Sequence, residues 1–303
     1  MNRRDMLKQT GLSAFALGGF PLGWAAAADA PKRRLLMYTK SVGFQHDCVK
    51  RKGDELSLAE RVVTDLGKKH GFEVVCTKDG RVFVNEDLNK FDAFVFETQG
   101  NLLQEGRLDG APPMTPDGKK RLLDAIAGGK GFVGCHCASD TFHSKGPADQ
   151  NQERDQIDPY IAMVGGEFIR HGAQQKAWMR VVDPTFPGIQ GQKDFELYEE
   201  WYALKNFAPD LHVLLVQDTN GMKKDRGDKV YDRPNFPATW ARMHDKGRVF
   251  FTSLGHRDDV WTSDTMQQIL LGALGWAVGN VEANVAPNIQ EVTPKAYELA
   301  VVK

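Results

Sequence analysis

The sequence predicts an α/β fold in which helices cover both faces of a mainly parallel sheet. One observation is a series of short apolar runs in the N-terminal half, each with the length of a buried strand. A second is that amphipathic stretches of helical period lie between some of these runs, so that strands and helices alternate. A third is the composition. Of the 303 residues, 41% are hydrophobic, which is enough to fill a core and excludes a disordered chain.

The first half of the chain contains the most regular elements. In the second of its two helices, Pro116 marks the start and Gly128-Gly129 the end. Because ligands in open α/β sheets bind beyond the carboxyl ends of the strands, the residues that follow each strand are candidates for a site. We predict strands at 34–39, 72–77, 91–96 and 131–136, and helices at 54–69 and from Pro116 onward.

The second half is less regular, and no linker or repeat divides the chain. We therefore predict a single domain over 31–303, with its core at about 34–279 and a surface tail at 280–303. Its predicted elements are short strands near 175–183 and 212–217, a hairpin at 238–243 and 248–253, and a C-terminal helix at about 264–278.

Residues 1–30 have the features of an export signal. They combine a basic start, a Gly/Ala-rich apolar run and the small-residue sequence Ala28-Asp29-Ala30. The pair Arg3-Arg4 resembles that of a twin-arginine signal. A membrane anchor is the alternative, but it needs about 20 uninterrupted apolar residues, and glycines and Pro21 interrupt this run. We expect a cleaved signal, a periplasmic or exported protein, and no membrane association after cleavage.

The charge balance argues against nucleic-acid binding. The chain has 39 basic and 40 acidic residues. Removal of 1–30 takes away three basic and two acidic residues, which leaves 36 against 38, a net charge of −2. Such a domain has no excess of positive charge with which to displace counterions from a polyanion.

Four cysteines remain after the signal: Cys48, Cys76, Cys135 and Cys137. In an oxidising compartment they can pair in three ways, although a bridge between Cys135 and Cys137, only two residues apart, would be strained. The chain has no C-x-x-C motif. Buried free thiols remain an equally open alternative.

Four histidines follow the ends of predicted elements, where they can converge on one cleft. Several neutral imidazoles with an open coordination position form a site for a divalent transition metal, with zinc as the first candidate. Asp47, Asp140 and Glu199 are candidate carboxylate ligands or ring-orienting partners. The predicted metal ligands are His46, His136, His171 and His256, and the predicted catalytic residues are His136, Asp140, His256 and Glu199.

His136 also lies in a tight turn between a strand and a helix. Gly134 and Ala138 flank it two residues before and two after, a spacing typical of a nucleophile elbow. An imidazole at this position can ligate a metal or transfer protons, but it is a poor acyl carrier compared with Cys or Ser.

Six blocks of the sequence resemble the ThuA-like (trehalose-utilisation) family. They are Phe44-Gln45-His46, 131–140, 164–171, Glu196-Leu197-Tyr198, 237–240 and 247–256. The resemblance implies a class I glutamine amidotransferase-like architecture, which is a three-layer, flavodoxin-like α/β sandwich. In amidotransferases a cysteine occupies the elbow and is partnered by His and Glu. Here His136 falls on the elbow and His256 resembles the triad histidine, so we do not expect amidotransferase activity.

The resemblance makes carbohydrate the expected ligand. A metal-dependent enzyme would act on a sugar or 3-keto-glycoside by hydrolysis, elimination and hydration, or isomerisation. Two alternatives remain open: a non-catalytic sugar-binding or accessory protein, and a cysteine-dependent amidase that uses Cys137 and His256. A homo-oligomer is compatible with the sequence. The aromatic residues expected to contact the sugar are Phe44, Tyr198, Trp201, Tyr202 and Trp240.

Overall fold

The computed structural model describes residues 32–106 and 108–301, which belong to one compact unit. The strands in this part of the chain are β1 (Arg33–Tyr38), β2 (Phe72–Thr77), β3 (Ala93–Phe96), β4 (Gly131–Cys135), β5 (Glu167–His171), β6 (Gln175–Val181), β7 (Phe195–Glu199), β8 (Tyr202–Lys205), β9 (His212–Asp218), β10 (Phe236–His244) and β11 (Gly247–Thr252). Its α-helices are α1 (Leu58–His70), α2 (Val82–Asn85), α3 (Pro116–Ala127), α4 (Pro159–Val164), α5 (Asp258–Trp261), α6 (Asp264–Ala277) and α7 (Ile289–Val292).

A nine-stranded sheet in the order β2-β1-β3-β4-β11-β10-β9-β6-β7 forms the centre of the fold. The pairs from β2 to β11 are parallel, and those from β11 to β7 are antiparallel. The direction reverses at each of these four antiparallel pairs, so within the sheet only β10 and β6 run opposite to the other strands. This confirms the predicted α/β class with a mostly parallel sheet. β5 and β8 form a separate antiparallel pair.

Local sequence signals explain the boundaries of the main helices. Ser57 and Glu60 form a reciprocal capping box at the start of α1, and Gly71 ends the helix in the left-handed conformation. At α3, the Thr115 side chain accepts a hydrogen bond from the backbone N–H of Gly118, and Pro116 occupies the first turn. The alternation expected from the sequence is thus present in the N-terminal half.

The second half contains three strands that the sequence analysis did not assign, namely β5, β7 and β8. Their segments mix charged and aromatic residues and lack a continuous apolar run. The final segment packs against β9, where the Asn288 side-chain oxygen accepts a hydrogen bond from the Val213 N–H over 2.6 Å. Ile289 and Ala296 are buried there.

In the described part of the chain, none of the helices combines the length and the apolar character needed to cross a membrane. The predicted export signal at 1–30 lies outside the described residues and stays a prediction.

Candidate metal centre

Three imidazoles and one carboxylate converge at the carboxyl edge of the sheet. His46, His136, His256 and Glu200 each offer one donor atom, and these atoms all lie within 4.8 Å of one another. The ring centroids of the histidines are 5.0 to 5.5 Å apart. Three imidazoles and a carboxylate match the donors that divalent transition metals such as zinc prefer.

The direction of the strands explains this convergence. His46 follows β1, His136 follows β4, and His256 follows β11, three strands that run parallel in the sheet. Glu200 follows β7, which lies in the antiparallel half but points the same way as β11 after four reversals. All four side chains therefore come from loops at one edge of the sheet, as expected for α/β ligand sites.

The backbone at His136 is held in an unusual conformation. Its φ angle is +37°, in a region that residues other than glycine rarely adopt. The turn is crowded, because a Cβ placed on Gly134 would lie 3.1 Å from Cβ of Ala138 and 3.2 Å from the Phe251 ring. Strained, closely packed turns of this kind are concentrated at functional sites. The strand-to-helix elbow predicted from the sequence is thus present, with an imidazole at its centre.

The hydrogen bonds of His136 and the burial of His46 keep ring nitrogens available. Nδ1 of His136 lies 2.8 Å from the Ser253 carbonyl oxygen, which can only accept, so Nδ1 carries the proton. Nε2 is left as a lone pair, 3.6 Å from Glu200, and has no hydrogen-bond partner within the described chain. Burial, together with the neighbouring imidazoles of His136 and His256, lowers the pKa of His46 to about 2, so this ring is neutral.

His256 is oriented by a short chain of polar contacts. The Gln174 side-chain oxygen accepts a hydrogen bond from Arg257, so its amide nitrogen donates to Nε2 of His256 over 2.9 Å. Nδ1 of His256 lies 3.0 Å from Glu200. Burial lowers the pKa of His256, but the hydrogen bond to Glu200 outweighs it and the net pKa is raised.

Glu200 connects the histidines, and the sequence analysis named its neighbour Glu199 instead. Burial alone would raise the pKa of Glu200, but the nearby imidazoles of His136 and His256 hold it well below the ordinary value. Glu199 instead accepts hydrogen bonds from the backbone N–H groups of Glu200 and Gly255. It therefore braces the ligand loops. Strand alternation at 195–199 is the signal that could have identified Glu200 as the first residue beyond the strand.

His171 lies beside the cluster but is not one of the four donors. Its Nδ1 is 3.2 Å from Oε1 of Glu200 and 2.9 Å from the carbonyl oxygen of Gly172. Both neighbours accept, so Nδ1 carries the proton and the Nε2 lone pair is free to meet a ligand. The side chain is 42% exposed.

Asp140 lies outside the cluster and supports it indirectly. Gln99 donates its amide N–H to Asp140, and the Gln99 oxygen accepts hydrogen bonds from the backbone N–H groups of Gly43 and Phe44. The other Asp140 oxygen lies 2.8 Å from the His143 ring. Asp140 thus holds the loop that carries His46.

The predicted sugar-contacting aromatics fall into two groups. Phe44 is 57% exposed and meets the His46 ring edge-on at 4.9 Å, while Tyr198 is 47% exposed beneath the Arg257 guanidinium. Trp201 and Trp240 are fully buried in the core, and Tyr202 is buried against the His136 ring. Of the five predicted aromatic residues, therefore, only Phe44 and Tyr198 present an exposed ring.

Cys137, which directly follows His136 in the elbow, faces the interior beneath the cluster. The Cys137 thiol donates to Oε1 of Glu97 over 3.2 Å, and both residues are fully buried. Burial raises the pKa of both groups well above their ordinary values. Such a thiol is a poor nucleophile. All four cysteines are free.

An open cavity of about 360 Å³ borders the cluster at His256. Phe44 forms its apolar part, and the remaining lining is polar. The polar lining residues are Asp47, Gln174, His256, Arg257, Asp258 and Asp259.

Comparison with known proteins agrees with the architecture. Two of the solved structures that share the fold are described as ThuA-like proteins. The one from Bacteroides uniformis ATCC 8492 is 18% identical, with a TM-score of 0.56 over 86% of this chain and 95% of its own. The one from Parabacteroides merdae ATCC 43184 is 15% identical, with a TM-score of 0.54 over 89% of this chain and 97% of its own. A search of curated proteins gave no match.

The family assignment comes from the sequence itself. The family model ThuA, described as trehalose utilisation, matches residues 34–277, which is most of the chain and includes every residue of the cluster. The chain belongs to the ThuA family.

Proposed function

We propose that this protein is a metal-dependent enzyme of carbohydrate catabolism that acts on a sugar or 3-keto-glycoside. One divalent transition metal, with zinc as the first candidate, would be held by His46, His136, His256 and Glu200. The observation that carries the proposal is the set of four donor atoms within 4.8 Å of one another. Ring nitrogens of His46 and His136 are buried there without a hydrogen-bond partner in the described chain, an arrangement that is costly unless a ligand completes it.

The surroundings of the cluster support a small polar substrate. The cavity of about 360 Å³ is large enough for a sugar ring, and its carboxylates, amide and guanidinium can bind hydroxyl groups. Phe44 offers an exposed ring face beside His46. The family description, trehalose utilisation, favours a disaccharide or a derivative of one.

A bound divalent ion would supply Lewis-acid polarisation of a carbonyl oxygen. In a 3-keto-glycoside, the carbon between the ketone and the glycosidic carbon has an acidified C–H bond. A base removes this proton, and the electron pair moves onto the ketone oxygen as an enolate. The enolate re-forms the ketone and expels the glycosidic oxygen, which takes up a proton. Addition of water across the new C=C bond completes a net hydrolysis.

His171 is the residue placed to take the proton. Glu200 and the Gly172 carbonyl fix its Nδ1–H, so the Nε2 lone pair faces outward at a half-exposed position. This arrangement of an imidazole oriented by a carboxylate is common among general bases. We place the activity outside the cytoplasm, because residues 1–30 have the sequence features of a twin-arginine signal.

The test combines metal analysis with turnover. Purified protein should contain a transition metal by elemental analysis and should consume 3-keto-trehalose, followed by loss of the ketone. Both properties should be lost in His136→Ala. Protein that is free of metal after expression in metal-supplemented medium, and that His136→Ala leaves unchanged, would contradict the proposal.

A sugar-binding protein without catalysis is the second candidate. The specific observation in its favour is that the elbow carries His136, while the neighbouring Cys137 thiol is buried away from the cavity. Tight binding of the keto-sugar without any turnover by the metal-loaded protein would favour this candidate.

A further inference from the structure

A second group of metal-ligating side chains lies directly beneath the first. His46, Glu97 and Cys137 each offer a donor atom, and these atoms also lie within 4.8 Å of one another. His46 follows β1, Glu97 follows β3 and Cys137 follows β4, which are neighbouring parallel strands. The group is therefore built at the same sheet edge as the first cluster. All three of its residues are buried, whereas His256 of the first cluster is partly exposed.

The elbow explains how two adjacent residues serve different groups. The positive φ of His136 turns the chain sharply between His136 and Cys137. The imidazole consequently points toward Glu200, and the thiol points inward to Glu97, 3.2 Å away. His46 lies between the two groups and belongs to both.

Unpartnered atoms in the buried group point to a missing ligand. Oε2 of Glu97 is buried and has no hydrogen-bond partner within the described residues, and the same holds for Nδ1 of His46. The Cys137 thiol satisfies only the other Glu97 oxygen. A carboxyl group with one oxygen left unpaired in a dry interior is costly, and a cation would remove this cost.

We propose that His46, Glu97 and Cys137 form a second metal position beneath the first. Thiolate, imidazole and carboxylate together are donors for zinc or another thiophilic divalent ion. Binding releases the thiol proton of Cys137 and the carboxyl proton of Glu97 to solvent, and the ion takes their place. His46 belongs to both groups. It can hold two ions only through its two ring nitrogens, and its ring proton then leaves. This inference rests on the proposed function only through that shared residue.

Cobalt(II) is the probe for this position, because a cobalt–thiolate bond gives a near-ultraviolet charge-transfer absorption that imidazole and carboxylate ligands do not give. We expect the Co²⁺-loaded full-length protein to show this band. Cys137→Ser should abolish it, and Glu97→Gln, which keeps the shape of the side chain, should weaken it. Cys135→Ser is the matched control, since Cys135 is equally buried two residues earlier and lies outside both groups. Wild type should retain about twice as much cobalt as Cys137→Ser.

Glu200→Ala separates this inference from the proposed function, because Glu200 belongs to the first group alone. In this variant the thiolate band should persist while turnover is lost. The inference is overturned if the wild type shows no band, if the band survives in Cys137→Ser, or if it disappears in Glu200→Ala. The first of these outcomes, combined with metal-dependent turnover, would leave the proposed function intact.

Discussion

Nδ1 of His136 donates a hydrogen bond to the carbonyl oxygen of Ser253 over 2.8 Å. Ser253 follows β11, the parallel neighbour of the strand that precedes His136. The bond fixes both the tautomer and the orientation of the ring, so Nε2 faces the other donors. Backbone carbonyls often serve metal-ligating histidines in this way. The relationship gives His136 a role that can be tested apart from substrate turnover.

His136→Ala is expected to lower metal content more than any change outside the donor set. The substitution removes one of four donors and leaves the Ser253 carbonyl without its partner. Elemental analysis after dialysis should show at least a tenfold loss of retained metal, on the order of what changes around a metal site produce. His244→Ala, at the far end of β10, is the control and should retain the wild-type amount. Equal metal in both variants would remove His136 from the ligand set.

His171→Gln is expected to separate catalysis from metal binding. Because His171 contacts Glu200 but is not a donor, its loss should leave the metal content unchanged. Removal of a general base typically lowers kcat by about 10²–10⁴-fold. The measurement is steady-state turnover of the keto-sugar by metal-replete enzyme, with kcat and KM determined separately. An unchanged kcat would show that another group takes the proton.

Gly134→Ala is expected to destabilise the elbow. A new Cβ would lie 3.0 Å from Cε1 of Phe132 and would also crowd Ala138 and Phe251. Overpacking of a buried site costs about 1–3 kcal/mol, which urea unfolding can measure. Gly227→Ala is the control, because nothing lies within 4 Å of a Cβ built there. If the two variants unfold alike, the elbow tolerates the added methyl group and the packing argument fails.

His143 is expected to stabilise the fold at low pH more than at high pH. Hydrogen bonds to Asp140 and Glu167 raise the pKa of His143 to about 9, above its ordinary value of 6.5. Since the folded state holds the proton more tightly, the stabilisation is complete below about pH 6.5 and is lost as the pH rises through about 9. The ring is half exposed, so solvent screening keeps the effect small.

The check is urea unfolding of wild type and His143→Gln across this pH range. The difference in unfolding free energy should be largest near pH 6 and should shrink toward zero above about pH 9. A difference that grows with pH would contradict the assignment of a raised pKa.

The strand ends could be predicted from the sequence because they depend on local signals. His46, His136 and His256 each follow a short apolar run, and parallel strands bring such positions to one edge. Glu200 was missed because β7 contains Glu196 and Tyr198 on its exposed face and lacks such a run. Its direction in the sheet also depends on four antiparallel pairings, which no local pattern reveals.

The aromatic residues also show what local sequence patterns cannot predict. Trp201 and Trp240 resemble Phe44 in being near the motifs, yet both are fully buried, and Trp240 donates its ring N–H to the Val164 carbonyl. Proximity in sequence to a motif does not determine which side of a strand faces the cavity. That information comes from the packing of β10 against its neighbours.

The sharing of one sheet edge by loops distant in sequence has a consequence for biogenesis. The donors extend from position 46 to position 256, a separation of 210 residues, so the site cannot exist until β1, β4, β11 and β7 occupy one sheet. A nascent chain that ends before His256 lacks one of the three imidazoles. With an ion bound as proposed, loading would coincide with completion of the chain's folding, and the bound ion would stabilise the finished topology.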